Sequence, residues 1–227
     1  MSTVAFALQS VRDRIAAAAR SAGRDPSDVQ LLAVSKTWPA SLLREAWHAG
    51  QHAFGENYVQ ESLQKIDHLS DLPIEWHFIG PIQSNKTRAL AENFAWVHGV
   101  DRERVAERLS SARPSHLPAL NICLQVNVSE EASKGGVSPD AALTLARFVR
   151  TLPNLRLRGL MAIPRIETAI AKQRASFARL REVRTSLETE GVPVDTLSMG
   201  MSDDLEAAIL EGATIVRVGT AIFGRRE

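Results

Sequence analysis

Short apolar runs rich in β-branched residues alternate along the chain with longer stretches in which apolar positions return every three or four residues. The first run covers 30–35 and is followed by a helical pattern over 40–49. The same reading predicts strands over 52–54, 75–79, 95–98, 120–128, 155–161, 194–198 and 214–218, eight in all. Between them Val59, Leu63, Ile66 and Leu69 cover one helix face, and Ala142, Leu145, Ala146, Val149 and Leu152 another. Leu8, Val11, Ile15 and Ala18 predict an opening helix. Asp13 and Asp25 break its basic character, so it reads as a packed helix rather than a transit segment.

Strands alternating with helices are the mark of βα units and a parallel sheet. Eight such units predict an α/β fold, a single (β/α)8 TIM barrel of the kind that places its active face at the carboxyl ends of the strands. An open doubly wound sheet is disfavoured because no G-x-G-x-x-G follows the first strand. No linker rich in Pro, Gly or Ser divides the sequence, and residues 1–227 are expected to form one domain.

Composition adds exclusions. Basic residues number 27 against 26 acidic ones, a net charge of +1, so neither nucleic acid nor an anionic membrane is an expected partner. The one cysteine, Cys123, sits in an apolar run and reads as a small buried hydrophobe. It has no partner for an internal disulfide, and no apolar run approaches the roughly 18 residues of a membrane span, so a cytoplasmic location is expected.

The residues that end the strands carry the candidate chemistry: Ser35-Lys36-Thr37, Gly55-Glu56-Asn57, Gly80, Asn127, Ser198 to Ser202, and Arg217-Val218-Gly219-Thr220. Lys36 is one of five lysines in a chain that otherwise draws its positive charge from arginine. An amine inside a barrel mouth sheds water, which favours its neutral form and lets it condense with an aldehyde, as arginine cannot. On position alone a lysine that merely ends a strand is the commoner case. The turns after the seventh and eighth strands, however, are where such barrels hold phosphate. Ser202 precedes a helical pattern over 204–210, Gly219 permits close backbone approach, and Thr220 adds a hydroxyl. Taken alone, Ser202 and the two aspartates after it more commonly cap a helix. An imine-forming lysine opposite a phosphate cradle matches pyridoxal 5′-phosphate, whose aldehyde and phosphate flank one ring.

The segments 32–37 (Leu-Ala-Val-Ser-Lys-Thr), 54–58 (Phe-Gly-Glu-Asn-Tyr), 76–80 (Trp-His-Phe-Ile-Gly), 159–164 (Gly-Leu-Met-Ala-Ile-Pro), 198–203 (Ser-Met-Gly-Met-Ser-Asp) and 217–224 (Arg-Val-Gly-Thr-Ala-Ile-Phe-Gly) resemble those of the pyridoxal phosphate homeostasis proteins, in order and over nearly the whole chain. The resemblance implies a barrel like the amino-terminal domain of alanine racemases, with Lys36 as the Schiff-base lysine. It implies Arg217 facing the pyridine nitrogen, and Ser202, Gly219 and Thr220 at the phosphate. Asn57 and Met161, at the ends of the second and sixth strands, are added as pocket walls from position alone.

Racemases of this fold use a tyrosine from an additional domain as second base. The one tyrosine here, Tyr58, follows the second strand, and nothing in the sequence sets it across the ring. The resemblance therefore implies a non-catalytic, monomeric protein that holds the cofactor, takes part in vitamin B6 homeostasis and passes cofactor to apoenzymes. Two other classes are weighed beside it. One is a small racemase or lyase using His77 or Tyr58; the other is a phosphosugar-type barrel enzyme using the Lys36 amine without cofactor. Weaker patterns are a metal pair at His48 and His52, an arginine face at 174, 179, 181 and 184, and a flexible loop over 129–136 that either gates the pocket or is a plain surface turn.

Overall fold

The computed structural model describes residues 3–129, 131 and 135–224. Its eight strands are β1 (Gln30–Val34), β2 (Ala53–Glu56), β3 (Glu75–Phe78), β4 (Trp96–Val100), β5 (Leu120–Gln125), β6 (Leu155–Met161), β7 (Thr196–Ser198) and β8 (Ile215–Val218). They pair in parallel in sequence order, and β8 closes onto β1, with Leu32 opposite Arg217. The closed barrel is the fold that the alternating pattern predicts.

Around it lie α1 (Thr3–Ser21), α2 (Ala40–His48), α3 (Val59–His68), α4 (Thr87–Asn93), α5 (Glu103–Ala112), α6 (Pro139–Thr151), α7 (Ile170–Thr189), α8 (Leu205–Leu210) and α9 (Thr220–Phe223). The helices turn apolar stripes inward: Val4, Leu8, Val11 and Ile15 of α1 and Phe177, Leu180 and Leu187 of α7 are buried against the outside of the strands. Residues that alternate along a strand divide between two environments. On β1, Leu31 and Ala33 join the layer under the helices, whereas Leu32 and Val34 pack with Ala53, Ile79 and Ile215 in a separate cluster. A second small cluster gathers Trp96, Cys123 and Met161. These two clusters lie inside the barrel, and Lys36 continues the inward series of Leu32 and Val34 at its carboxyl end.

The sequence reading gives β6 at both ends, and the other strands differ from it by one to three residues at one end or both. The second strand runs on through Gly55 and Glu56, because their partners His77 and Phe78 on β3 extend the ladder. The fifth stops at Gln125, where Val126 leaves the strand for a single parallel bridge to Val137.

Candidate functional site

The carboxyl end of β1 is held in an unusual shape. Thr37 has φ 68°, a left-handed conformation that costs a non-glycine residue roughly 1–2 kcal/mol. Its backbone N–H donates to Glu61 at 2.5 Å. On the other side of Lys36, the carbonyl oxygen of Ser35 accepts from Lys65 Nζ at 2.7 Å, and Ser35 Oγ donates to Glu56 Oε1 at 2.6 Å. Lys65 also bonds Glu56 at 2.7 Å and Glu61 at 2.5 Å. Burial pushes the Glu56 carboxyl up and the Lys65 ammonium opposes that rise. Both residues flanking Lys36 are thereby clamped by an ion cluster between β2 and α3, while Lys36 itself projects half-buried into the mouth.

A cleft of about 520 Å³ opens there, lined by Lys36 and Val34 of the first βα unit, Asn57, Ile79 and Ile163, Arg217 of β8, and the turns carrying Ser202, Gly219 and Thr220. The expected Lys36, Asn57, Ser202, Arg217, Gly219 and Thr220 thus share one cavity, of ordinary size for a small-molecule site. Asn57 Oδ1 is buried and has no hydrogen-bond partner among the described residues. The approach of the Asn57 backbone requires Gly80, since a Cβ at position 80 would lie 2.4 Å from the Asn57 carbonyl oxygen. Ser202 Oγ accepts the Ala221 N–H at 3.4 Å, which ties the turn after β7 to the turn after β8. Asp204, not Ser202, precedes α8, and its carboxylate accepts the Met201 N–H.

Arg217 is nearly inaccessible. Its Nη1 donates to the carbonyl oxygen of Ser198 at 2.5 Å and to Ser198 Oγ at 2.9 Å, and its Nη2 donates to the Ala162 carbonyl oxygen at 2.9 Å. Three of the five guanidinium N–H groups are spent in this way, leaving Nε–H and one Nη2–H for the cavity. Burial brings the group down to about 10, still cationic at neutral pH, and Asp204 acts in the opposite direction.

Residues 7–227 match the family model of the alanine racemase amino-terminal domain. The chain is 62% identical over its full length to the pyridoxal phosphate homeostasis protein of Pseudomonas aeruginosa, covering 97% of that protein. It is 52% identical, again over its full length, to the protein of the same name from Escherichia coli, covering 98% of it. The chain belongs to the pyridoxal phosphate homeostasis protein family. A solved structure of PipY from Synechococcus elongatus with PLP bound superposes with a TM-score of 0.85 at 38% identity, over 97% of this chain and all of that one. An alanine racemase of Clostridium difficile shares the fold with a TM-score of 0.77 at 12% identity, covering all of this chain and 57% of the racemase.

One site expectation differs from the position observed. Met161 is fully buried in the interior cluster with Trp96 and Cys123, one layer below the mouth, and Ile163 takes the cleft wall on that side. The alternation of β6 side chains puts Met161 inward, but its depth cannot be read from that alternation. Of the residues that hold the site without lining it, Lys65 and Glu61 beneath Lys36 and His98 behind Arg217 were missed, while Glu56 and Ser198 were read only as strand ends and His77 only as a possible base. The G-E-N and W-H-F motifs of the family contain two of them, and their apolar surroundings are the available signal.

Other sequence patterns resolve into packing. The rings of His48 and His52 both lie against Trp47, at 5.4 and 5.3 Å, and no group of three metal-ligating side chains occurs among the described residues. On α7, Arg174 and Arg181 pair with Glu211, Arg184 pairs with Glu188, and Arg179 donates to the Val128 carbonyl oxygen. Of the loop 129–136, Glu130, Ala132, Ser133 and Lys134 lie outside the described residues. Its flanks are tied down, Gln125 Nε2 donating to the Gly135 carbonyl oxygen and the Arg165 N–H to Ser129 Oγ. No helix among the described residues is long and apolar enough to cross a membrane.

Proposed function

We propose that this chain holds pyridoxal 5′-phosphate as a Schiff base on Lys36 and takes part in vitamin B6 homeostasis without turning over a substrate. The observation that carries the reading is the shared cleft. An amine, an inward guanidinium and the hydroxyl-bearing turns after β7 and β8 face one small cavity, in a family that includes PipY with PLP bound. The chemistry the group supplies is an aldehyde carbon joined to a ring that withdraws electrons.

Lys36 supplies the amine, and the clamps on Ser35 and Thr37 fix the direction from which it approaches. Ser202, Gly219 and Thr220 receive the phosphate, where the oxygen of Ser202 already spans the two turns. Arg217 directs its remaining N–H groups at the ring nitrogen; a fixed cation there opposes a proton on that nitrogen and weakens the ring as an electron sink. Asn57 Oδ1 offers an acceptor at the opposite wall.

A carrier rather than a racemase or lyase is favoured by what the alternative bases are doing. His77 is fully buried and bonded to Glu75 and His98, and Tyr58 is 54% exposed on the α3 side of the mouth. In this reading the protein acts as a cytoplasmic monomer whose partners are PLP-dependent apoenzymes that receive the cofactor. The test is borohydride reduction of the protein loaded with pyridoxal phosphate, followed by peptide mass mapping. A pyridoxyl adduct on Lys36, lost in Lys36→Ala, is expected; an adduct on another lysine overturns the assignment. Turnover of an amino acid that depends on Lys36 would replace the carrier reading with the enzymatic one.

A further inference from the structure

A line of hydrogen bonds runs through the barrel interior from the site to the opposite end. Arg217 Nη1 lies 2.9 Å from Ser198 Oγ, Ser198 Oγ 2.8 Å from His98 Nδ1, His98 Nε2 2.9 Å from His77 Nδ1, and His77 Nε2 2.8 Å from Glu75 Oε1. Ser198, His98 and His77 are completely buried. Glu75, the first residue of β3, is partly exposed and lines a separate cleft of about 680 Å³ at the amino-terminal end of the strands, with Gln30 and His52. The line therefore joins two faces of the molecule.

With both imidazoles neutral, the state that their burial favours, the carboxylate end fixes every proton along the line. Arginine only donates and a carboxylate only accepts. Ser198 Oγ, which accepts from Arg217, has one proton to give, and His98 Nδ1 receives it. His98 then carries its proton on Nε2 and donates to His77 Nδ1, and His77 in turn donates from Nε2 to Glu75. All four bonds point away from the cofactor mouth. With both rings neutral, reversing either bond of His98 would set two acceptors or two donors face to face somewhere along the line, in a dry interior where an unmet group costs about 1–3 kcal/mol. The stack of His77 on Trp96, with centroids 5.3 Å apart and planes 6° apart, holds the middle of the line in plane. Other ionisable groups near the two imidazoles are Cys123 on β5, Arg158 of β6 over the Trp96 ring, and Asp204 near Arg217.

We propose that Ser198, His98, His77 and Glu75 are positioning residues for Arg217: their single bond polarity, anchored by the carboxylate at the far end of the barrel, sets how the guanidinium is presented to the ring nitrogen. The role of Arg217 at the ring rests on the proposed function; the polarity of the line does not. No side chain of the line lines the cleft except Arg217 itself.

The experiment takes the full chain in two states. Without cofactor, nitrogen-15 NMR of the imidazoles at neutral pH is expected to show His77 and His98 both neutral and both protonated on Nε2. A proton on Nδ1 of either ring, or an imidazolium, overturns the polarity whatever binds in the mouth. With pyridoxal phosphate bound, the visible absorbance band is titrated against pH in Glu75→Leu, which removes the terminal acceptor, and in Ser198→Ala, which differs from the native side chain by one oxygen and cuts the joint to Arg217. A shift of the midpoint by about one unit or more is expected in each. Glu75→Gln, which retains an acceptor oxygen, is expected to titrate as the native protein does. A native midpoint in Ser198→Ala overturns the positioning role even if Glu75→Leu fails to fold. A borohydride adduct away from Lys36 would overturn the site assignment instead, and the imidazole tautomers would still decide the polarity of the line.

Discussion

Lys65 Nζ lies 2.7 Å from the carbonyl oxygen of Ser35, so the residue before the candidate Schiff-base lysine is gripped by a second lysine from α3. The same ammonium bonds the fully buried carboxylate of Glu56. Removing one partner of a buried pair leaves the other charge stranded, at a cost of about 3–5 kcal/mol. Lys65→Met is expected to lose stability on that scale in urea unfolding, and to form the Lys36 imine more slowly as the turn loosens. Adding Glu56→Leu should restore much of the stability. A single variant as stable as the native chain would show that the pair does not hold the turn.

Acid stability depends on the two interior imidazoles. Burial holds His77 and His98 below their ordinary 6.5, so the folded chain resists protons that the unfolded chain accepts. Their contribution is complete above that value and falls as pH drops below it, by up to roughly 1.4 kcal/mol per pH unit for each ring. Glu75 acts lower down. Chiefly through the hydrogen bond from His77 it is held at about 2, and its contribution is present above 4.5 and lost as pH falls toward 2. The urea midpoint is expected to fall steadily from pH 7 to pH 5, and less steeply in His98→Gln. An unchanged midpoint over that interval would contradict the buried neutral pair.

The barrel was legible because its signal is repeated. Each βα unit restates the same alternation, and the inward series of Leu32, Val34 and Lys36 is readable from the two-residue period of β1 alone. The mouth residues were legible because ends of barrel strands are where polar and small residues have no packing purpose. Depth and support were not. Met161 ends its strand as Lys36 follows its own, yet it sits below the mouth, since the stagger of a closed barrel is fixed by pairing that no single strand encodes. Lys65 and Glu56 lie nine positions apart on a helix and a strand, and only their meeting under Ser35 gives them a role.

Gly80 offers a steric test of the Asn57 wall. A methyl group at position 80 would lie 2.4 Å from the Asn57 carbonyl oxygen and 2.8 Å from its Cα, both backbone atoms that cannot swing aside. Gly80→Ala should displace the segment after β2, with a loss of stability of about 1–3 kcal/mol, as for other overpacked sites. Cofactor affinity is expected to fall with it, measured by fluorescence titration with pyridoxal phosphate. Native affinity in this variant would argue that Asn57 takes no part in the site.

Ser202 separates binding from folding. Its hydroxyl accepts the Ala221 N–H at 3.4 Å, a long bond whose loss to the fold is small, while the side chain stays half-buried in the cleft wall. A phosphate in the cradle would accept a hydrogen bond from the hydroxyl, a bond to a charged group worth about 1.5–3 kcal/mol. Ser202→Ala is therefore expected to weaken pyridoxal phosphate binding by roughly ten- to a hundred-fold and to leave the urea midpoint within experimental error. Inorganic phosphate should compete with the cofactor in the native chain and less effectively in the variant. Equal competition in both would place the phosphate away from Ser202, and the turn after β8, with Gly219 and Thr220, would then have to hold it alone.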